Sequence, residues 1–268
     1  DGGLAGNQVI ARATLRGLPP RHPGTALMRQ NNCVACHEAE GTLIGPSFQK
    51  ITERYTNLET REDYLKDQIQ KGSKGVWGEL QQMPPHPYLK EEEVEQIVDA
   101  IFKLKLAKHS ANKRPVTLAI PPSQKYRGTG LAELVDGVMG DENHLNKDWL
   151  GFEGDDLIAT IDLGETMPIR ELALSSYQRT SAGIFLPPAV EFLTSGDGEN
   201  FLTVATVTHE IPREQATAQI ILSTKITPVE ARYIRVHAKN LGSIPDGHPA
   251  KGRKAWLFVD ELLVNPAN

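Results

Sequence analysis

The chain has 268 residues, 39% of them hydrophobic and 24% charged, with a net charge of −5 at pH 7. That length holds one large domain or two ordinary ones. The acidic balance offers no basic face for nucleic acid, and no apolar run approaches the roughly 18 residues of a membrane-spanning helix. Two cysteines are too few for a disulfide framework at this size, and the start at Asp1 rather than Met reads as a processed chain or an excised fragment.

In chain order, residues 1–20 form an N-terminal extension and residues 21–107 read as helical. Thr25 is placed to cap a helix running through Ala26, Leu27 and Met28 into the two cysteines. Thr60 and Asp63 have the spacing of a capping box, with Tyr64, Leu65, Gln68 and Ile69 continuing at helical intervals. Between Glu91 and Leu106, Val94, Ile97, Val98, Ile101 and Phe102 share one face, which predicts an amphipathic helix. Glu91, Glu92 and Glu93 complement the positive end of its dipole. Residues 108–126 are polar and Pro-rich and read as a linker that packs little surface.

From residue 127 onward the period changes to two. Leu157, Ala159, Ile161 and Leu163 alternate up to Gly164; Val190 and Phe192 precede the turn at Gly196-Asp197-Gly198; Ile234, Val236 and Ala238 oppose Tyr233, Arg235 and His237. Short alternating runs broken by turn residues predict a β-sandwich over 127–268. The fold class is therefore α + β in two domains.

Both cysteines and a histidine fall within CVACH, Cys33 to His37. A redox C-x-x-C would follow a strand in a βαβ unit, and none is predicted here. A zinc site would need further spaced ligands, and a lone disulfide leaves His37 unexplained. C-x-x-C-H instead matches covalent haem attachment, with Cys33 and Cys36 as thioether donors and His37 as an axial ligand to iron. A second axial ligand is expected on an electron carrier. Of Met28, Met83, Met139 and Met167, Met83 in a Pro-rich loop before the long helix is the candidate, with His86 as its competitor.

CVACH, GPSF, GSKGVWG and MPPHP before a terminal helix together resemble a class I cytochrome c over residues 21–107, closest to single-haem domains of bacterial multidomain proteins. The resemblance implies one covalent haem c bound by Cys33, Cys36, His37 and Met83, with the Pro46 carbonyl accepting a hydrogen bond from the proximal imidazole. It places Trp77 near the haem propionates, although Trp77 reads equally well as a core aromatic. Gly72, Gly75 and Gly78 let the backbone turn close to the porphyrin. It also implies a periplasmic or extracytoplasmic location.

In the second half, LAELVDGVMG, WLGFEGDDLIATIDLG, ARYIRVHAKN and KAWLFVDELLVN resemble a galactose-binding-like jelly roll of the discoidin type, also used as carbohydrate-binding modules. That resemblance implies a structural calcium bridging Asp136 and Glu261, with the carbonyls of Leu134 and Met139 as co-ligands; otherwise Asp136 is a turn residue and Glu261 a surface charge. Trp149, Phe152, Tyr177, Asn240, His248 and Trp256 are candidates for a sugar site, or else complete the sandwich core. Asp246 and His248 lack the companions acid–base catalysis would need, and His22, His109, His144, His209 and His237 show no metal spacing.

The expected function is single-electron transfer to or from an extracytoplasmic oxidoreductase, with the sandwich binding a carbohydrate or a partner protein. The alternative is the end of a larger multidomain sugar dehydrogenase whose catalytic domain lies outside this chain.

Overall fold

The computed structural model describes residues 10–12, 23–37, 43–103, 107–128, 130–140, 145, 148–209, 213 and 216–266. His22 and His144 lie outside them, as does the end of the predicted last helix. In chain order the elements are β1 (Ile10–Arg12), α1 (Pro23–Gln30), α2 (Phe48–Tyr55), α3 (Arg61–Lys71), β2 (Ser73–Lys74), β3 (Gln82–Met83) and α4 (Glu91–Lys103). They continue with β4 (Val116–Leu118), β5 (Leu150–Glu153), β6 (Leu157–Arg179), β7 (Val190–Ser195), β8 (Leu202–Thr208), β9 (Thr217–Ala238) and β10 (Trp256–Val264). The chain divides into two compact units, Pro20–Leu106 and Ala107–Asn268, the latter joined by Asp1–Pro19.

The first unit is organised by α4. Val94, Ile97, Val98, Ala100 and Ile101 are buried on one face and cluster with Met28 of α1, Phe48, Ile51 and Tyr55 of α2, and Leu65 and Ile69 of α3. The helix starts where the Glu93 carboxylate reaches back to accept from the Lys90 backbone N–H at 2.9 Å. α1 packs so closely on α4 that a Cβ on Gly24 would sit 1.8 Å from the Gln96 carbonyl oxygen. α2 is capped by Ser47, whose hydroxyl accepts from the Lys50 N–H.

Two capping expectations are corrected. α1 begins at Pro23, whose fixed φ suits a first helical position, so Thr25 is a buried residue inside the helix. Thr60 does precede α3, but its backbone (φ −92°, ψ 19°) is not extended and its hydroxyl makes no capping bond.

The second unit is an antiparallel β-sandwich apart from β1, which runs parallel to β8. β6 and β9, 23 and 22 residues long, pair along most of their length. The ladder breaks register between Asp162 and Met167 and again between Ile169 and Glu171. Before the breaks β6 lies among β4, β9 and the β7–β8 hairpin; after them it lies between β9 and β10, which carries β5. One hydrogen-bonded sheet thereby turns over on itself. Leu157, Ala159, Ile161 and Leu163 from the first half and Leu172 and Leu174 from the second enter the same core.

Gly164 therefore does not end a strand. It sits at positive φ (83°) inside a bulge, where Asp162 accepts from the Gly164 N–H at 2.8 Å and takes both Arg232 guanidinium bonds at 2.8 Å. Residues 108–126 are not a loose linker either. Ser110 donates to the Val264 carbonyl, Ala111 is fully buried, β4 pairs with β6, and Tyr126 packs on Trp256 and Phe258. The prolines of this stretch flank a three-residue strand, and that polar composition concealed it.

Gly24→Ala is expected to destabilise the helical unit by about 3 kcal/mol, because the added methyl meets backbone rather than a movable side chain. Thermal unfolding followed by helical circular dichroism checks this.

Candidate functional site

The CVACH segment folds as a tight turn. Asn32 takes a left-handed conformation (φ 58°), Cys33–Ala35 form a single 3-10 turn, and the Cys36 and His37 N–H groups both donate to the Cys33 carbonyl. Both thiols are free and half-buried. Burial pushes the Cys33 thiol up to about 11 despite a backbone hydrogen bond that opposes the shift. It is thus held as a thiol, the reverse of the depressed thiolate that a redox C-x-x-C pair needs.

His37 is fixed from three sides. Its Nδ1–H donates to the Pro46 carbonyl at 2.7 Å, which sets the tautomer and leaves the lone pair on Nε2. Its ring stacks on Phe48 at 5.6 Å. A Cβ on Gly45 would lie 2.6 Å from Cε1, so only glycine fits beneath the imidazole. Burial is the main cause of a lowered His37 pKa, partly opposed by the Pro46 bond. A neutral imidazole with an outward lone pair is a metal ligand in waiting.

His37 and Met83 line the same crevice, which has Ile51, Tyr55, Leu65 and Trp77 in its walls. Met83 is brought there by β3, which pairs with β2 (Ser73↔Met83). The turn at Gly72 (φ 75°) passes so near this loop that a Cβ would meet the Met83 carbonyl at 2.7 Å. His86, the competing ligand, is not among the lining residues: its Nδ1 meets the Tyr88 hydroxyl at 2.8 Å and its N–H donates to Ile69.

Trp77 does more than fill space. The Arg54 guanidinium lies 4.4 Å from its ring centre and donates to the Val76 carbonyl, while Tyr55 meets it edge-on. Burial and a hydrogen bond to Tyr64 push the Tyr55 hydroxyl up to about 12, so it stays protonated. Sequence reasoning missed Tyr55, Arg54, Gln68 and Gln81. The helical spacing of Leu65, Gln68 and Ile69 carried a signal for the third of these.

The profile of the family described as Cytochrome c matches residues 22–104, and that of the F5/8 type C domain matches residues 120–256, about half of the chain. Cytochrome c-552 of Nitrosomonas europaea is 35% identical over 79 residues, which are 30% of this chain and 76% of that relative. Cytochrome c-551 of Stutzerimonas stutzeri is 34% identical over 82 residues, 31% of this chain and 77% of the relative.

This chain belongs to the cytochrome c family. Through its second unit it also belongs to the F5/8 type C domain family.

Among solved structures, the N. europaea cytochrome c552 crystal structure aligns at 34% identity and TM-score 0.29, covering 30% of this chain and 99% of that one. Chitosan-binding module 1 of a Paenibacillus sp. IK-5 chitosanase/glucanase aligns at 17% identity and TM-score 0.38, covering 59% and 98%.

The cytochrome c family implies covalent haem c and electron transfer rather than catalysis, and the crevice of this cytochrome c unit fits such a group. A neutral imidazole and a thioether line one apolar cleft beside Cys36, and the side-chain oxygens of Gln68 and Gln81, buried in its walls, have no hydrogen-bond partner. Among the described residues no helix is long and apolar enough to cross a membrane.

The candidates in the F5/8 type C domain divide differently. Trp149 is fully buried against Tyr177, and Phe152 and Tyr177 are core residues. Asn240 clamps three loops, its Nδ2 donating to the carbonyls of Phe152, Asp155 and Ala255. His248 uses Nε2 on the Thr180 carbonyl and Nδ1 on the Ala250 N–H. Trp149, Phe152 and Tyr177 thus pack the interior, while Asn240 and His248, half-buried, brace the loops. Among the aromatic candidates Trp256 is the exception: it is half-buried, in edge contact with Tyr126 at 5.0 Å. His237, expected on the surface, bridges Asp156 and Glu191.

Glu261 is not a surface charge but fully buried, and it meets Asp136 as expected. Its oxygens, however, accept N–H bonds: Oε1 from His109 Nε2 at 2.8 Å, and both oxygens from Gly137 at 3.1 Å. Among the described residues no three His, Cys, Asp or Glu side chains converge on a metal position. These bonds tie the loop at Asp136 to β10. Burial, then Asp136 and Asp260, holds the Glu261 carboxyl well above the usual carboxylate range.

Burial also lowers His109 from its ordinary 6.5 to about 4. A group with a depressed folded pKa contributes stability that is present above its unfolded value and lost as pH falls. The sandwich is therefore expected to lose ~3 kcal/mol between pH 6.5 and 4 through this residue alone. Thermal melts across that window, with His109→Gln flattening the acid limb, check this.

Proposed function

We propose that this chain is a single-haem electron carrier in which Cys33 and Cys36 bind the haem vinyls as thioethers. His37 Nε2 and Met83 Sδ would hold its iron. The observation that carries this reading is the presence of His37 and Met83 in one apolar crevice, with His37 oriented by the Pro46 carbonyl. Bound haem supplies a one-electron couple. The protein's part is to hold both ligands, exclude water with Ile51, Leu65 and Trp77, and keep the imidazole neutral. With both residues serving as ligands, the group would supply electron transfer rather than dioxygen or peroxide chemistry. Electrons pass to or from an extracytoplasmic oxidoreductase, in keeping with attachment of haem c outside the cytoplasm.

The F5/8 type C unit serves as the tether. It binds a carbohydrate, raising the local concentration of the carrier without altering its redox contacts. The family match supports this, as does the half-buried Trp256 beside Tyr126. Trp149, Asn240 and His248 contribute only by shaping the loops around it.

The matured chain is expected to show low-spin bands in reduced-minus-oxidised spectra that carbon monoxide leaves unchanged. Met83→Ala opens one face and yields a carbon monoxide complex, whereas His86→Ala does not. Ready carbon monoxide binding by the wild type would sink the ligand assignment. In affinity electrophoresis against a panel of polysaccharides, Trp256→Ala is expected to abolish retardation by about tenfold or more in Kd, the scale of one lost aromatic contact. Equal migration of wild type and variant through every gel counts against a glycan role.

A further inference from the structure

His86 stands three residues after Met83, and imidazole is a common ligand of iron. Something in the fold must therefore settle which of the two side chains serves. Met83 lines the crevice and His86 does not, yet His86 is close by. Beyond burial, which is the main cause, the charge of His86 also lowers the His37 pKa, so this ring lies within electrostatic reach of the crevice.

The backbone around His86 is fixed. Its N–H donates to the Ile69 carbonyl of α3 at 2.9 Å, and its carbonyl accepts from the Leu89 N–H at 3.3 Å. Pro84, Pro85 and Pro87 flank it with restricted φ. Gly72 packs so tightly on this segment that a Cβ there would meet the Pro85 nitrogen at 2.9 Å. What remains free to turn is the imidazole itself, and Tyr88 holds it. The Tyr88 hydroxyl lies 2.8 Å from His86 Nδ1, and the two rings meet edge-on with centres 5.7 Å apart. Tyr88 is 64% exposed and joins no core cluster, so core packing does not account for its position.

The two histidines have different partners at the same nitrogen. Nδ1 of His37 faces the Pro46 carbonyl, which can only accept, so the ring proton sits on Nδ1 and Nε2 keeps its lone pair. Nδ1 of His86 faces a hydroxyl, which can donate. A phenol O–H donating there occupies the Nδ1 lone pair and puts the ring proton on Nε2. Neither nitrogen then has a lone pair to offer a metal.

We propose that Tyr88 selects the ligand: its hydroxyl donates to His86 Nδ1, masks that imidazole as the Nε2–H tautomer, and so leaves Met83 as the residue that serves. This deepens the electron-carrier reading and rests on it. A thioether in place of a second imidazole raises the reduction potential, so Tyr88, a positioning residue remote from the iron, keeps the potential of the carrier high.

The test uses the full chain matured with haem. Nitrogen NMR of the reduced wild type, at a pH where the ring is neutral, is expected to show the His86 proton on Nε2. A proton on Nδ1 overturns the proposal. Carbon monoxide affinity supplies a second readout in Met83→Ala, where one face is open. Adding Tyr88→Phe keeps the edge contact but removes the donor. It is expected to weaken carbon monoxide binding about threefold to tenfold, the span of one neutral hydrogen bond, because the unmasked imidazole competes for the open face. Adding His86→Ala as well restores the affinity. Equal affinity with and without Tyr88→Phe overturns the proposal, as does a loss that His86→Ala leaves in place. Should Met83→Ala not retain haem, the wild-type nitrogen spectrum decides alone. A wild-type chain without haem bands sinks the electron-carrier reading and this proposal with it, whereas haem bands with His86 protonated on Nδ1 sink this proposal alone.

Discussion

The arrangement of the first unit depends on one hydrogen bond, from His37 Nδ1–H to the carbonyl of Pro46. It fixes the tautomer, aims Nε2 at the crevice, and raises the basicity of a ring that burial would otherwise weaken as a ligand. The bond is possible because Gly45 leaves room beneath the ring. Phe48 holds the other face, and Phe48 is itself the first residue of α2, capped by Ser47. The residues GPSF thus act as one device: space, acceptor, cap and stacking surface in four positions.

The second unit depends on a comparable local device at Asp162. A bulge there, closed by the bidentate Arg232 pair and the Gly164 N–H, lets β6 and β9 leave one layer of the sandwich and enter the other without losing their partnership. Arg232 and Gly164 hold the Asp162 carboxyl low, at about 2, so the pair is charged at all ordinary pH. Both carboxylate and guanidinium are partly exposed, so the pair's contribution lies mainly in geometry rather than in net stability.

Two carboxylates of the second unit shift in opposite directions. Near Asp162 an exposed carboxylate is kept charged by a cation. At Glu261 a buried carboxyl faces Asp136 and Asp260, with a neutral His109 and a backbone N–H as its donors, and it is driven toward its protonated form. The sign of the shift follows from burial, which sequence position alone does not reveal.

The covalent logic of the first unit was legible in the sequence. C-x-x-C-H is a local spacing set by one turn of chain, and the face of α4 is a local periodicity, so neither needs distant residues to be read. The alternation in β6 and β9 likewise foretold a sandwich, and the loop context favoured Met83 over His86, of which Met83 lines the crevice. What the sequence left open were contacts between residues far apart in the chain. Trp149 looked like a ligand group because aromatic side chains serve cores and sites equally well; only its burial places it in the core. The linker reading failed because a three-residue strand gains its identity from its partner β6 rather than from its own composition. Residue type and spacing along the chain determined the chemistry, whereas burial and hydrogen-bond completeness, which are sums over neighbours brought together by folding, were decided by the tertiary structure alone.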